Sequence, residues 1–371
     1  MGGCAQEPEV TTCRLQPISS ALSSVPSNQI IKDNQGYKIR DMLYYDEHIF
    51  IELQEGLAVF DVKNPENPNY LGIYLDWDIP IIVNSTVAYS FWDDESHILD
   101  ISNPQTLVEF DCPEKINFAL TKNTQFSDDF AFEPKGPEGL KIFDITELAN
   151  PEEIAQYQSH SIPELYWHKP YGKLFPEPSI IASEPMLALD IAVNDQYAYL
   201  GEGLVGIDSL YGGQFTILNV SNPKRPRRIT VFPMPDNGAA QKVLLNEKVV
   251  YVSSSDPYGS QYTIALDVST PSKPTKIATF PTGSLLAIHE NFIYFNDYGK
   301  EVVVWDITNP KSPTFIGTIK LPPIRFGEQL RVTNIQFDND LAYIVIEYAV
   351  LHIVDISNPK NAKILSSIQI P

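Results

Sequence analysis

Cysteine is nearly missing from this sequence: Cys4, Cys13 and Cys112 are the only three in 371 residues. No CxxC and no Cys/His spacing of the zinc-finger kind occurs, so a structural zinc site is not expected. Long apolar runs are missing too. No stretch of 18 apolar residues exists, and without one no helix of this chain spans a bilayer. Positive charge is scarce, with 26 Lys and Arg against 47 Asp and Glu and a net charge of −21. Such a surface repels phosphate backbones and lacks the basic patch that holds proteins to anionic lipid, so nucleic acid is excluded as a partner and a cation or basic ligand fits better. Catalytic motifs are absent as well: there is no GxSxG, HExxH, P-loop or EF-hand spacing. The six histidines (His48, His97, His160, His168, His289 and His352) are scattered, and no catalytic residue is assigned.

What is present points to short strands. Thirty prolines, 19 tyrosines and 18 phenylalanines accompany few Ala/Leu/Lys/Glu stretches of helical length. An apolar 43% is ample for a core. One pattern recurs down the chain: VFDVKNPENP, ILDISNP, IFDITELANP, LNVSNPKRP, LDVSTPSKP, WDITNPKSP and VDISNPKNA. Its anchors are Asp61, Asp100, Asp144, Asn219, Asp267, Asp306 and Asp355, spaced 39 to 49 residues apart except for one interval of 75. Upstream of each anchor a turn residue precedes an apolar, Tyr-containing strand: Asp46, Asn84, Asn194, Asn246, Asn291 and Asn339, with Asn123 the weakest match. Asn and Asp tolerate the positive φ of a two-residue hairpin.

Each repeat therefore reads as four strands. The Asp-Ile-Ser-Asn-Pro turn joins the third to the fourth, where short polar side chains satisfy local amides and Pro ends the ladder. Four strands per unit of about 40 residues is the propeller period, and seven units make an all-β, seven-bladed propeller of four-stranded antiparallel blades. The blades fall at about 36–75, 76–111, 112–158, 186–235, 236–283, 284–320 and 321–371, within a propeller spanning 29–371. An open β-solenoid is the alternative.

The third strand followed by D-[IV]-[ST]-N-P, after a YAY-type strand, resembles the LVIVD repeat of bacterial exported and surface propellers. IVDISNP at 353–359 and VWDITNP at 304–310 are near-ideal copies, and the resemblance covers roughly residues 36–371. It implies the fold and an extracytoplasmic address, but no catalytic residues.

Turn-to-anchor distances vary from 15 to 25 residues, which places the variation between strands two and three. On this count blades three, four and five carry enlarged loops: EPKGPEG, GEGLVGIDSLYGG and SSDPYGS. The long interval adds an insert at about 159–184 between one blade's outer strand and the next blade's inner strand. Both loop types emerge at one mouth of the channel, the expected binding face. The candidate ligand-binding residues are Tyr166, Trp167, His168 and Tyr171 of the insert, with Asp208, Tyr211, Asp256 and Tyr258 of the loops. The alternative is a lid whose aromatics pack on the blade rims. No cofactor is expected, although acids such as Asp93, Asp94, Asp128, Asp129, Glu202 and Asp297 could hold Ca²⁺ as well as cap turns.

At the amino terminus, Gly2-Gly3-Cys4 has the small-small-Cys form that ends a bacterial lipoprotein signal, although the apolar stretch that should precede it is missing. The expectation is lipidation at Cys4, a tether over residues 1–28, and membrane attachment through that lipid alone. Chance and N-myristoylation are the alternatives, the latter opposed by Gln6 where Ser or Thr is wanted. Cys13 and Cys112 then remain as one pair or as two free thiols. The function expected is a monomeric, non-catalytic binding module for a protein or glycan. A hydrolase or lyase using funnel carboxylates and the insert histidines is the alternative.

Overall fold

The computed structural model describes residues 14–16, 39–53, 56–75, 78–82, 87–92, 95–111, 120–148, 150–159, 186–205, 210–255, 261–281, 283–297, 301–322, 331–346 and 350–370. Seven antiparallel sheets follow one another along the chain, over 41–75, 81–111, 125–157, 187–233, 239–280, 284–320 and 332–369. Six have four strands in sequence order, and the second has a fifth. The protein is a seven-bladed β-propeller.

Seven apolar clusters close the ring. Each is shared by neighbouring blades, and the cluster holding Met42, Ile51, Phe60, Tyr343, Val345 and Ile353 joins blade seven back to blade one. No strand is exchanged between the first and last blades, because both are built from contiguous chain. Closure rests on this packing and on side-chain bonds: the Gln336 side chain accepts from Tyr44 N–H at 2.7 Å and donates to the Met42 carbonyl at 2.9 Å. The second strand of each blade is buried on both faces, which is why it reads as a continuous apolar run. Its third residue is a large aromatic in every blade: Phe50, Tyr89, Phe132, Tyr199, Tyr251, Tyr294 and Tyr343, all buried.

The repeated motif does the work its chemistry suggests. All seven anchors accept a hydrogen bond from the amide two residues on, at 2.8–3.1 Å, and Asn219 does so through its amide oxygen as the six aspartates do through a carboxylate. The Thr146, Ser269 and Ser357 hydroxyls bond back to Asp144, Asp267 and Asp355 and hold those carboxyls below the usual range. The residue after the anchor reaches the hairpin between strands one and two: Val62 donates to Glu47, Ile145 to Asp129, Ile307 to Asn291 and Ile356 to Asp340, each at 2.8 Å. The anchor turns and the first hairpins therefore share one face. Links from strand two to three, and from one blade to the next, start and end on the opposite face, and so do the insert's described ends, Ser159 and Met186.

Two readings are corrected by the register. In blade three the hairpin turn is Asp128–Asp129, between Gln125–Ser127 and Phe130–Pro134, with Asp128 at positive φ. The sequence pattern places this turn at Asn123, five residues too early. Blade three thus has no strongly enlarged loop, and Asp128 and Asp129 lie on the face opposite the channel mouth. In blade four much of GEGLVGIDSLYGG is strand. Tyr197–Val205 and Leu210–Asn219 pair out to Val205↔Leu210, so Tyr211 sits in a ladder opposite Leu204. This long hairpin lies hard against blade five: a Cβ at Gly213 would stand 2.4 Å from Ala239 Cα and 2.5 Å from the Gly238 carbonyl. Only glycine fits there.

Arg14–Gln16, within the segment expected to be a tether, supplies the fifth strand of blade two. It pairs antiparallel with the outer strand Val108–Asp111.

Candidate functional site

The inner strands carry a feature their apolar pattern hides. In blades four, five and seven the register between first and second strands slips once, skipping Leu189, Gln241 and Thr333. Such bulges re-aim the side chain that follows. The following residues are Asp190, Lys242 and Asn334, opposite Gly201, Ser253 and Val345. Those partners hold the fifth position of their second strands, as Glu52 does in blade one, where it faces Asp41. Asp41, Asp190, Lys242 and Asn334 are thus one repeat position seen in four blades. All four line a central cavity of about 470 Å³, together with Lys122, Asn123, Gln125 and Leu286.

Their bonds run between blades. Asn334 Nδ2 donates to Asp41 Oδ1 at 2.5 Å, and Lys122 Nζ stands 3.3 Å from Asp41 Oδ2. Asp190 Oδ2 accepts from Val243 N–H at 2.7 Å, and Lys242 Nζ donates to the Leu286 carbonyl at 2.5 Å. Asn123 Nδ2 donates to the carbonyl of the bulge residue Leu189 at 2.9 Å. Burial pushes the Asp190 carboxyl up to about 6, against the pull of the Val243 amide and Lys242. Burial likewise lowers Lys242, with Asp190 and Asp41 opposing.

A second cavity of about 320 Å³ shares Asp41 and Lys122 and continues toward the mouth between Arg40, Glu52, Asp78, Ile79, Ile81 and Leu120. Arg40 Nη1 lies 3.7 Å from Glu52 Oε1. Burial raises Glu52, with Asp78 and Asp41 adding to it, and burial also raises Asp78. The two cavities adjoin at Asp41 and Lys122, which line both, and both are lined by groups of either charge.

Of the residues expected to bind, Tyr166, Trp167, His168, Tyr171, Asp208, Asp256 and Tyr258 lie outside the described residues, and so do Cys4, Cys13 and Cys112. The insert's two ends are described, and they meet. Met186 N–H donates to the Ser159 carbonyl at 3.1 Å, and Gln158 Nε2 donates to the Met186 carbonyl at 3.2 Å. Ser159 Oγ donates to Glu202, a buried acid that also accepts from Thr216 Oγ1 at 2.5 Å and Gln214 Nε2 at 3.0 Å. Glu202 therefore bolts the root of the insert to blade four.

The described histidines have structural roles. His97 Nδ1 meets Glu109 Oε1 at 2.6 Å, and His352 is buried against Ser367 with its value lowered to about 4. His48 bonds the Asp46 carbonyl through Nδ1, and His289 stacks on Phe337 with ring centroids 4.5 Å apart. His160 and His168 lie outside the described residues. Among the described residues no three His, Cys, Asp or Glu side chains group to hold a metal ion, and no helix is long and apolar enough to cross a membrane. Sequence reasoning missed the ring of Asp41, Lys122, Asp190, Lys242 and Asn334. The signal was a charged or amide residue inside an otherwise apolar first strand, as in LALDIAV and VTNIQFD.

The LVIVD repeat family model matches residues 284–320 and 331–368, which are blades six and seven. Blades six and seven are thus LVIVD repeats within a seven-bladed β-propeller. No curated protein sequence matches it. Several solved propellers share its fold at low identity. The periplasmic gluconolactonase PpgL of Pseudomonas aeruginosa is 10% identical, with a TM-score of 0.60 over 90% of this chain and 96% of that one. A hypothetical selenium-binding protein from Sulfolobus tokodaii is 14% identical, with a TM-score of 0.57 over 93% of each chain. Kluyveromyces lactis Hsv2 is 9% identical, with a TM-score of 0.54 over 90% of this propeller and all of that chain. At these identities the likeness is one of fold.

Proposed function

We propose that this propeller is a non-catalytic binding module that works outside the cytoplasm and takes a glycan chain at its channel mouth. The observation that carries the reading is the pair of adjoining cavities lined by Arg40, Glu52, Asp78, Asp41, Lys122, Asp190, Lys242 and Asn334. Carboxylates, ammonium groups and amides alternate along it, a set that satisfies the donors and acceptors of a hydroxyl-rich ligand. The described ends of the insert and of the blade-four and blade-five hairpins lie on the same face, and in this reading Tyr166, Trp167, Tyr171 and Tyr258 supply the remaining contacts as stacking platforms. A protein partner would meet the same loops without entering the cleft. The extracytoplasmic address is supported by the resemblance to exported propellers, by Gly2-Gly3-Cys4, and by the periplasmic gluconolactonase among the fold neighbours.

The test is calorimetric titration with neutral, amino and acidic oligosaccharides, on the parent and on Asp41→Asn and Lys242→Met. Binding that weakens at least about tenfold in both variants, roughly 1.4 kcal/mol, is the expected result. Equal binding by all three proteins, or none by the parent, overturns the cleft as the site. Hydrolysis is the second reading, and Asp190 favours it, because a carboxyl raised to about 6 can hold a proton for a leaving group. Release of shorter sugars during the titration would decide for it.

A further inference from the structure

The fifth strand of blade two has a covalent consequence. Arg14, Leu15 and Gln16 pair antiparallel with Asp111, Phe110 and Glu109. In an antiparallel ladder each step forward on one strand is a step back on the other, so the pair that follows Arg14↔Asp111 outward is residue 13 with residue 112. The sequence places Cys13 immediately before the first of these strands and Cys112 immediately after the second. From this register we infer a disulfide bond between Cys13 and Cys112.

The geometry of any antiparallel pair suits it. Directly opposed residues present their side chains on one face of the sheet, with Cα atoms about 4.5–5.5 Å apart. A disulfide needs about 4.4–6.8 Å between the same atoms. Neither strand has to move. By contrast, two cysteines 99 positions apart and placed at random in a 371-residue chain have no reason to share a rung. The bond forms by exchange with the disulfide of an oxidised dithiol oxidoreductase or of oxidised glutathione. Each thiol loses its proton, the two sulfurs join, and the pair's two electrons reduce the donor disulfide to two thiols. The loop so closed holds all of blade one and the strands of blade two. Three described residues pair with the edge of blade two at this point, and the crosslink fixes them there. Cys4 is then the one cysteine without a partner, whatever it carries. The inference does not depend on what the channel binds.

The experiment is a non-reducing peptide map of a Cys4→Ser chain exported to an oxidising compartment. Trypsin then yields peptide 1–14, with Cys13 as its only cysteine, and peptide 64–115, with Cys112 as its only one. The expected result is these two peptides joined, about 2 Da lighter than their sum, and separated by reductant. In the same Cys4→Ser chain, denatured without reductant, no thiol should react with maleimide, and with Cys13→Ser or Cys112→Ser added one should. Two reactive thiols in the Cys4→Ser chain, or Cys4 joined to either residue in the parent, overturns the inference. Because the peptide map reads the bond directly, a variant that folds poorly does not blur the outcome.

Discussion

Asp190→Asn tests whether burial or the neighbouring lysine governs the channel. The Asp190 carboxyl is raised from 3.8 to about 6, with burial the largest cause and Lys242 and two backbone amides opposing it. A raised acid binds its proton more tightly in the folded chain than in the unfolded one. At about 1.36 kcal/mol per unit, keeping it ionised costs the fold about 3 kcal/mol. Below about pH 4 the group is protonated in both states and this cost is absent. As the pH rises from about 4 to about 6 the unfolded chain ionises first, so stability falls, and above about 6 the loss is complete. Asparagine keeps the shape and an oxygen for the Val243 N–H but carries no charge. The variant should therefore match its parent near pH 4 and exceed it by about 3 kcal/mol near pH 8. Urea unfolding followed by tryptophan fluorescence across that range measures the difference. A gap that stays constant with pH would refute the reasoning. A variant that becomes weaker as the pH rises would show instead that the attraction to Lys242 outweighs burial.

Two further outcomes are expected. Because the Met186 amide is bonded to the Ser159 carbonyl, replacing residues 160–185 with a two-residue turn should leave the melting temperature within a few degrees while ligand capture is lost; unchanged capture would remove the insert from the binding face. A chain secreted behind a lipoprotein leader should take up labelled palmitate and its Cys4→Ala form should not, and equal labelling of the two would end the lipid-anchor proposal.

The scaffold was legible because seven copies repeat the same local chemistry. Asp306, its acceptance of the Thr308 amide, and the Asn309-Pro310 turn need only five adjacent residues, so sequence alone displays them. Asn219 shows how local the rule is, since an amide oxygen replaces a carboxylate without changing the bond. Blade three misled because two candidate turn residues, Asn123 and Asp128, lie five positions apart. Only the pairing Ser127↔Phe130 distinguishes them.

The channel ring was hidden for a different reason. Side chains alternate along a strand, so a single slipped residue sends every later one to the other face. The bulges at Leu189, Gln241 and Thr333 are such slips, and the one local sign of them is a charged or amide residue within an apolar strand. Counted without the bulge, Lys242 and Asp190 fall on the wrong face of their strands. Counted with it, both turn toward the axis and line the central cavity with Asp41 and Asn334. Asp190, Lys242 and Asn334 therefore sit where the repeat departs from its own register, and the bulges at Leu189 and, in blade six, Leu286 leave their carbonyls to accept the Asn123 and Lys242 side chains. A ligand in the cleft would compete for these inter-blade bonds, which ties occupancy of the channel to how firmly neighbouring blades are held.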